Sequence, residues 1–205
     1  GYGTDTGVRG TAGWNLLDVN PSGDKFKALI QASQAQSTAQ LQYIIPGLHP
    51  VNEEYAITGS IFNLNYPGSQ SNAAELSGSY RYHKDNFEKT YSLNSLYSDY
   101  TIGSDPRQNA FIFYPSGNWK YRKVDNEIFA KNGYSGALTT QGSAKALASS
   151  VSFAQAEVTG KYVKTIKMLH GRFYTRADVG VTAVDDIDNL PPSLQFYTGG
   201  AQSVR

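Results

Sequence analysis

Arg172-Phe173-Tyr174-Thr175-Arg176-Ala177-Asp178-Val179-Gly180-Val181-Thr182-Ala183 is the stretch whose reading decides the fold class. Phe173, Ala177, Val179, Val181 and Ala183 share one parity; Arg172, Tyr174, Arg176, Asp178 and Thr182 share the other. A helix would spread these charges around its whole circumference, whereas an extended chain sets them on one face, so the period of two predicts a strand. The pattern recurs upstream. Phe26, Ala28, Ile30 and Ala32 alternate with Lys27, Gln31 and Ser33, Leu29 being the exception. Leu76, Gly78, Tyr80 and Tyr82 alternate with Glu75, Ser77, Ser79 and Arg81. Phe87, Tyr91 and Leu93 alternate with Glu88, Thr90, Ser92 and Asn94.

Turn chemistry separates these runs: Asn20-Pro21-Ser22-Gly23-Asp24, Pro46-Gly47, Pro67-Gly68 and Lys84-Asp85-Asn86. Together the signals predict about eleven strands in an antiparallel meander or up-and-down barrel. Composition agrees, since 15 Tyr and 9 Phe against a single Met suit pleated surfaces better than helices. The 205 residues are one-domain size, with no run of apolar residues long enough for a transmembrane helix. The chain opens on Gly1-Tyr2-Gly3-Thr4 without the basic-then-apolar pattern of a signal peptide, which reads as a mature or excised segment.

The solvent met by the apolar face separates two readings. A soluble barrel or sandwich turns that face inward; a membrane barrel turns it to lipid. Runs of ten or more residues match a tilted spanning strand. The polar face carries Lys27, Gln40, Gln42, Glu75, Arg81, Glu88, Arg172, Arg176 and Asp178, which a hydrated lumen accommodates without pairing each in a dry core. Tyr43, Tyr66, Tyr97, Tyr100, Tyr134 and Tyr162 lie near run ends and suit interfacial girdles. The expected class is all-β, an antiparallel transmembrane barrel, with a soluble β-barrel as the alternative.

Few residues point to covalent chemistry. The absence of Cys removes disulfides, thiolate metal sites and thiol nucleophiles. His49, His83 and His170 are scattered without ligand spacing. Asp185-Asp186-Ile187-Asp188-Asn189 lacks the glycine and terminal Glu of an EF-hand loop and reads as an acidic loop. Gly1-Tyr2-Gly3-Thr4-Asp5-Thr6-Gly7 misses the dinucleotide fingerprint, and no Gly-x-Ser-x-Gly elbow occurs. Lys120, Arg122 and Lys123 with Trp119 and Tyr121 form a basic-aromatic cluster; at net charge +1 it reads as a lipid-headgroup contact rather than a nucleic-acid site. No enzyme, metal or cofactor is expected.

Gly1-Tyr2-Gly3-Thr4-Asp5-Thr6-Gly7-Val8-Arg9, then Trp14, then Asn20-Pro21-Ser22-Gly23-Asp24 resemble the opening strand of a barrel in the BamA/TamA outer-membrane protein assembly superfamily, in its translocation-and-assembly-module (TamA) branch. Leu190-Pro191-Pro192-Ser193-Leu194-Gln195, continuing through Gly199, Gly200, Val204 and Arg205, resembles that family's strand and long loop leading into a Val-Arg-Gly-aromatic signature. Phe113-Tyr114-Pro115 matches an aromatic-Pro element between them.

The resemblance implies a sixteen-strand cylinder of which residues 1–205 supply the N-terminal eleven or so, in the bacterial outer membrane. The rest of the signature is expected after Arg205, and the periplasmic polypeptide-transport-associated (POTRA) domains of relatives are not in this stretch. It implies insertion or secretion of proteins such as autotransporters through a lateral gate. The implied partners are a TamB-like inner-membrane-anchored protein, unfolded outer-membrane substrates and outer-membrane lipid, with phospholipid movement a further possibility. Gly3, Gly7, Gly10, Gly13 and Trp14 then lie on the gate's first strand, where glycines weaken packing or simply permit curvature. Gly199, Gly200, Val204 and Arg205 belong to a loop that docks in the lumen, Arg205 seeking carboxylate or carbonyl partners. A two-partner-type secretion pore, a passive channel and a soluble ligand-binding barrel are the alternatives.

Overall fold

Each strand pairs with the next in the chain. The computed structural model describes residues 2–3, 7–33, 36–66, 69–102, 106–126, 130–147, 149–166, 171–185 and 190–195. Its strands are β1 (Tyr2–Gly3), β2 (Gly7–Leu16), β3 (Lys25–Ser33), β4 (Gln36–Pro46), β5 (Glu53–Tyr66) and β6 (Ser69–Lys84). They continue as β7 (Phe87–Ile102), β8 (Gln108–Val124), β9 (Asn132–Ser143), β10 (Phe153–Ile166) and β11 (Gly171–Val184). All eleven form one antiparallel sheet in chain order. The expected number is met, although β1 is a two-residue stub.

Register carries the alternation read from sequence through the whole sheet. Outward rows run, for example, Trp14–Ala28–Leu41–Gly59–Leu76 and Leu16–Phe26–Tyr43–Ile57–Gly78–Leu93–Pro115. The inward row beside them runs Asn15–Lys27–Gln42–Thr58–Ser77–Asn94–Tyr114. Leu41, Ile57, Leu76, Leu93, Val158, Val179 and Val181 are all exposed on the outward face. A soluble barrel would bury these side chains; burying each is worth roughly 1.5–3 kcal/mol, so a coherent exposed band is the signature of a lipid-facing surface.

The strands are up to 17 residues long, but their outward apolar stretches are shorter. They run from Phe111 to Tyr121 on β8 and Ala154 to Tyr162 on β10, each close to the roughly 9–11 residues that a tilted strand needs to cross, while on β7 the outward Lys89 lies over the Tyr82 ring between Phe87 and Tyr91. Along one margin the aromatics step from strand to strand: Tyr55 on Tyr80 (5.2 Å), Tyr91 on Trp119 (5.8 Å) and Tyr121 on Tyr134 (5.9 Å). This is the interfacial girdle expected from the tyrosines. Of those named for it, Tyr43, Tyr97, Tyr134 and Tyr162 do point outward. Tyr100 is a correction: its parity turns it inward, where it is buried, because β7 reaches the inner core at that end. The side chain of Tyr66 lies outside the described residues.

The turns follow their residues. Asn20 Oδ1 accepts from the backbone of Ser22 (3.0 Å) and Asp24 (3.2 Å), while Gly23 takes φ 79°. Asp85, also at positive φ, starts the two-residue link between Lys84 and Phe87. Gly47 tolerates no side chain, since a Cβ there would sit 2.6 Å from that of Glu53. Pro67-Gly68 lies outside the described residues.

Candidate functional site: two sheet edges and a lumenal docking segment

The sheet ends in two edges, and the predicted gate residues lie at the first. The sequence reading put Gly3 to Trp14 on one strand. The structure corrects this: Gly3 ends β1, and Gly7, Gly10, Gly13 and Trp14 belong to β2, antiparallel to it through Gly3↔Gly7 and Tyr2↔Val8. On its other side β2 pairs with β3 from Arg9 to Leu16. Among the described residues, the β2 backbone from Gly10 to Leu16 has no ladder partner on the β1 side. A Cβ added at Gly10 would meet nothing within 4 Å, and one at Gly13 only ordinary contacts at 3.7 Å. Neither position therefore needs glycine for space. Trp14 is outward, 59% exposed, and stands edge-on to Phe26 at 6.2 Å.

The second edge is β11. It pairs with β10 along its whole length, and among the described residues nothing pairs with its other side. Its lumenal row carries Arg176, whose Nε and Nη2 donate to Asp178 at 2.6 and 3.2 Å, and Asp178 also accepts from Thr159 Oγ1 at 2.7 Å. Similar inward pairs join Arg81 to Glu54 (2.6 Å) and Lys120 to Glu88 (3.1 Å). All are partly exposed, as expected of charges in a wet lumen, and each contributes little to stability. The expected basic-aromatic cluster is split by register: Lys120 and Arg122 face inward, and Trp119, Tyr121 and Lys123 outward.

At one end the lumen is filled. Leu96, Ile112, Tyr114 and Phe153 form a buried core with Leu190 and Leu194, two residues of a segment that follows β11. Within residues 190–195 the expected strand is absent; Pro192–Leu194 makes a 3-10 turn instead, because Pro191 and Pro192 donate no backbone hydrogen bond. Gln155 on β10 fastens it. Its Nε2 donates to the Leu194 carbonyl (2.7 Å) and Thr182 Oγ1 (3.1 Å), and its Oε1 accepts from Gln141 (2.6 Å). Gln195 Nε2 donates back to the Leu190 carbonyl at 2.7 Å. Gly199, Gly200, Val204 and Arg205 lie outside the described residues.

Phe113-Tyr114-Pro115 positions this core. Tyr114 turns inward, donating to Glu75 Oε1 (3.0 Å) and packing 6.1 Å from Phe153. Pro115 has no N–H, and the β8–β9 ladder begins only at Ser116. Beyond it the loop before β10 covers the β8 edge. Ser149 Oγ accepts from Phe113 N (2.9 Å), Ser143 Oγ donates to Phe113 O (2.7 Å), and Phe111 bonds to Ser150 through both N and O. Asp185 ties that loop down through Lys145 (2.7 Å) and Ser152 N (3.2 Å). The sequence reading missed Gln155, Ser149 and Ser150. Their only sequence signal is parity, which places Gln155 in the lumen.

Two comparisons with known proteins agree with this geometry. The sequence matches the family described as the Omp85 superfamily domain over residues 24–205. The fold is similar to that of BamA from Haemophilus ducreyi lacking POTRA domains 1–3, with a TM-score of 0.85 and 13% identity. That likeness covers 98% of this chain and 43% of the BamA chain. An exposed apolar band, a polar lumen and the family match together lead to one conclusion: this chain belongs to the Omp85 superfamily and is part of an outer-membrane β-barrel.

Proposed function

We propose that this barrel segment serves the assembly or translocation of other outer-membrane proteins, by presenting a weakly held strand edge to an incoming chain. The observation that carries this reading is on β2, next to the hairpin with β1: Gly10 and Gly13 have room for a side chain they lack. Glycine without steric need lowers the cost of distorting a strand. An opened edge can template another strand by β-augmentation. In the register Tyr2↔Val8, chain preceding Tyr2 would run along Gly10–Leu16, so the lip is composite, with β1 outside and β2 behind it.

The docked segment at Leu190–Gln195 would hold the following loop, with Gly199, Gly200, Val204 and Arg205, in the lumen while the seam works. The closer assignment is to the TamA branch, with a TamB-like inner-membrane-anchored partner, autotransporters among the unfolded substrates, and phospholipid movement as a related role. No covalent catalysis enters. A photo-crosslinking residue at Tyr2, on the outer strand of the lip, tests the idea in the full-length protein. Capture of an unfolded outer-membrane substrate during assembly is the expected result, and capture of nothing but the protein's own strands opposes it. The charged, hydrated lumen also favours a second reading, a secretion pore. Its mark would be steady conductance with no substrate crosslink at Tyr2.

A further inference from the structure

The margin that carries the paired aromatics is also where the outward face of β6 to β10 keeps its positive charge. Register sets Lys84 beside outward Phe87, Lys123 beside outward Tyr134, and Lys164 beside outward Phe173. All three lysines are exposed, and among the described residues no carboxylate pairs with any of them. The acids nearby are held elsewhere: Asp125 accepts from the backbone of Lys131 and Asn132, and Glu53 lies against His49. Asp85 stands exposed in the two-residue turn after Lys84. At the opposite margin the outward Asp99 is neutralised by Arg107.

We propose that this lysine margin, from β6 to β10, binds the headgroups of anionic phospholipids. Outward side chains at the depth of an aromatic girdle meet lipid headgroups. A lysine rooted there lays its methylenes on the apolar wall and carries its ammonium into the headgroup layer. A phosphate in that layer accepts charge-assisted hydrogen bonds from it. An ethanolamine headgroup brings an ammonium of its own, which the lysines repel; a glycerol headgroup leaves the phosphate charge uncompensated, so unpaired lysines select the anionic lipid. The outward row Lys123–Tyr134–Tyr162 sets one ammonium beside two phenol rings, with Lys164 the next outward residue after Tyr162 on β10. This is the end at which chain preceding Tyr2 would join, the side on which relatives carry their periplasmic domains, so the leaflet concerned is the periplasmic one. The inference rests on the barrel's place in the outer membrane and is independent of protein assembly.

Native mass spectrometry of the full-length protein in mild detergent tests it, with phosphatidylglycerol and phosphatidylethanolamine of identical chains as probes. The wild type should retain phosphatidylglycerol in preference to phosphatidylethanolamine by about tenfold. Lys84→Gln, Lys123→Gln and Lys164→Gln together should bring the two lipids level, whereas Arg at the same three positions should keep the preference. Lys120→Gln removes an inward lysine of the same sector and should change nothing. Heat-modifiable migration reports that each barrel still folds; if the triple variant does not, Lys123→Gln alone should roughly halve the preference. Equal retention of both lipids by the wild type would overturn the proposal. So would retention of neither lipid, a preference that survives the lysine replacements, or one that Lys120→Gln abolishes.

Discussion

Gln155 joins β9, β10, β11 and the docked segment through one buried amide, accepting from Gln141 and donating to Thr182 and Leu194. Replacing it with Leu keeps the volume and strands three polar partners, at about 1–3 kcal/mol for a buried group left unsatisfied. Gln155→Leu should therefore release residues 190–195, seen as faster amide exchange there while β10 stays protected. Unchanged exchange would mean that the hydrophobic contacts of Leu190 and Leu194 suffice.

Asp125, in the turn after β8, gives a pH-dependent case. Its carboxylate accepts from the backbone of Asn132 (3.0 Å) and Lys131 (2.9 Å), and these bonds hold its pKa below the usual aspartate range. A folded pKa below the unfolded one stabilises the fold above the unfolded value, about 3.9, and the effect is lost as pH falls through the folded pKa. The thermal stability of wild type should thus exceed that of Asp125→Asn at neutral pH, and the gap should close in acid. A gap constant with pH would rule out the carboxylate as its source.

At the scale of the element, β2 bears on the gate. Gly10→Val and Gly13→Ala fit the space available and restrict the unfolded chain, an effect of about 0.4–1 kcal/mol for Gly→Ala. The variants should fold and insert normally themselves yet assemble substrate more slowly; assembly at the wild-type rate would leave the glycines with no gating role. Sequence reading went far with elements, because period two is local: the faces of β3, β6, β7 and β11 were legible residue by residue. It failed where local pattern has no say. The hairpin dividing Gly3 from Gly7 lies inside a run whose many glycines blur any alternation. Tyr100 resembles a girdle tyrosine until register turns it inward. Ser149 and Ser150 act only because Pro115 ends the ladder beside them, a contact between positions far apart in sequence.

At the scale of the molecule, everything depends on which solvent meets which face. Among the described residues, β2 from Gly10 to Leu16 and the far side of β11 have no ladder partner, and backbone groups left so in hydrocarbon are costly, so further strands would have to cover them in the membrane. The chain spans 43% of the length of the BamA structure it resembles, leaving ample room for such strands in a protein of that size. The sequence has no cysteine, so single cysteines report without background. The most direct measurement places one at Leu76→Cys and, separately, one at Ser77→Cys in the full-length protein in native outer membranes, each then treated with a charged maleimide. Outward Leu76 and inward Ser77 are adjacent on β6. The account predicts labelling at position 77 from the wet lumen and protection at 76 by lipid. Labelling at 76 with protection at 77 would turn the barrel inside out and contradict it.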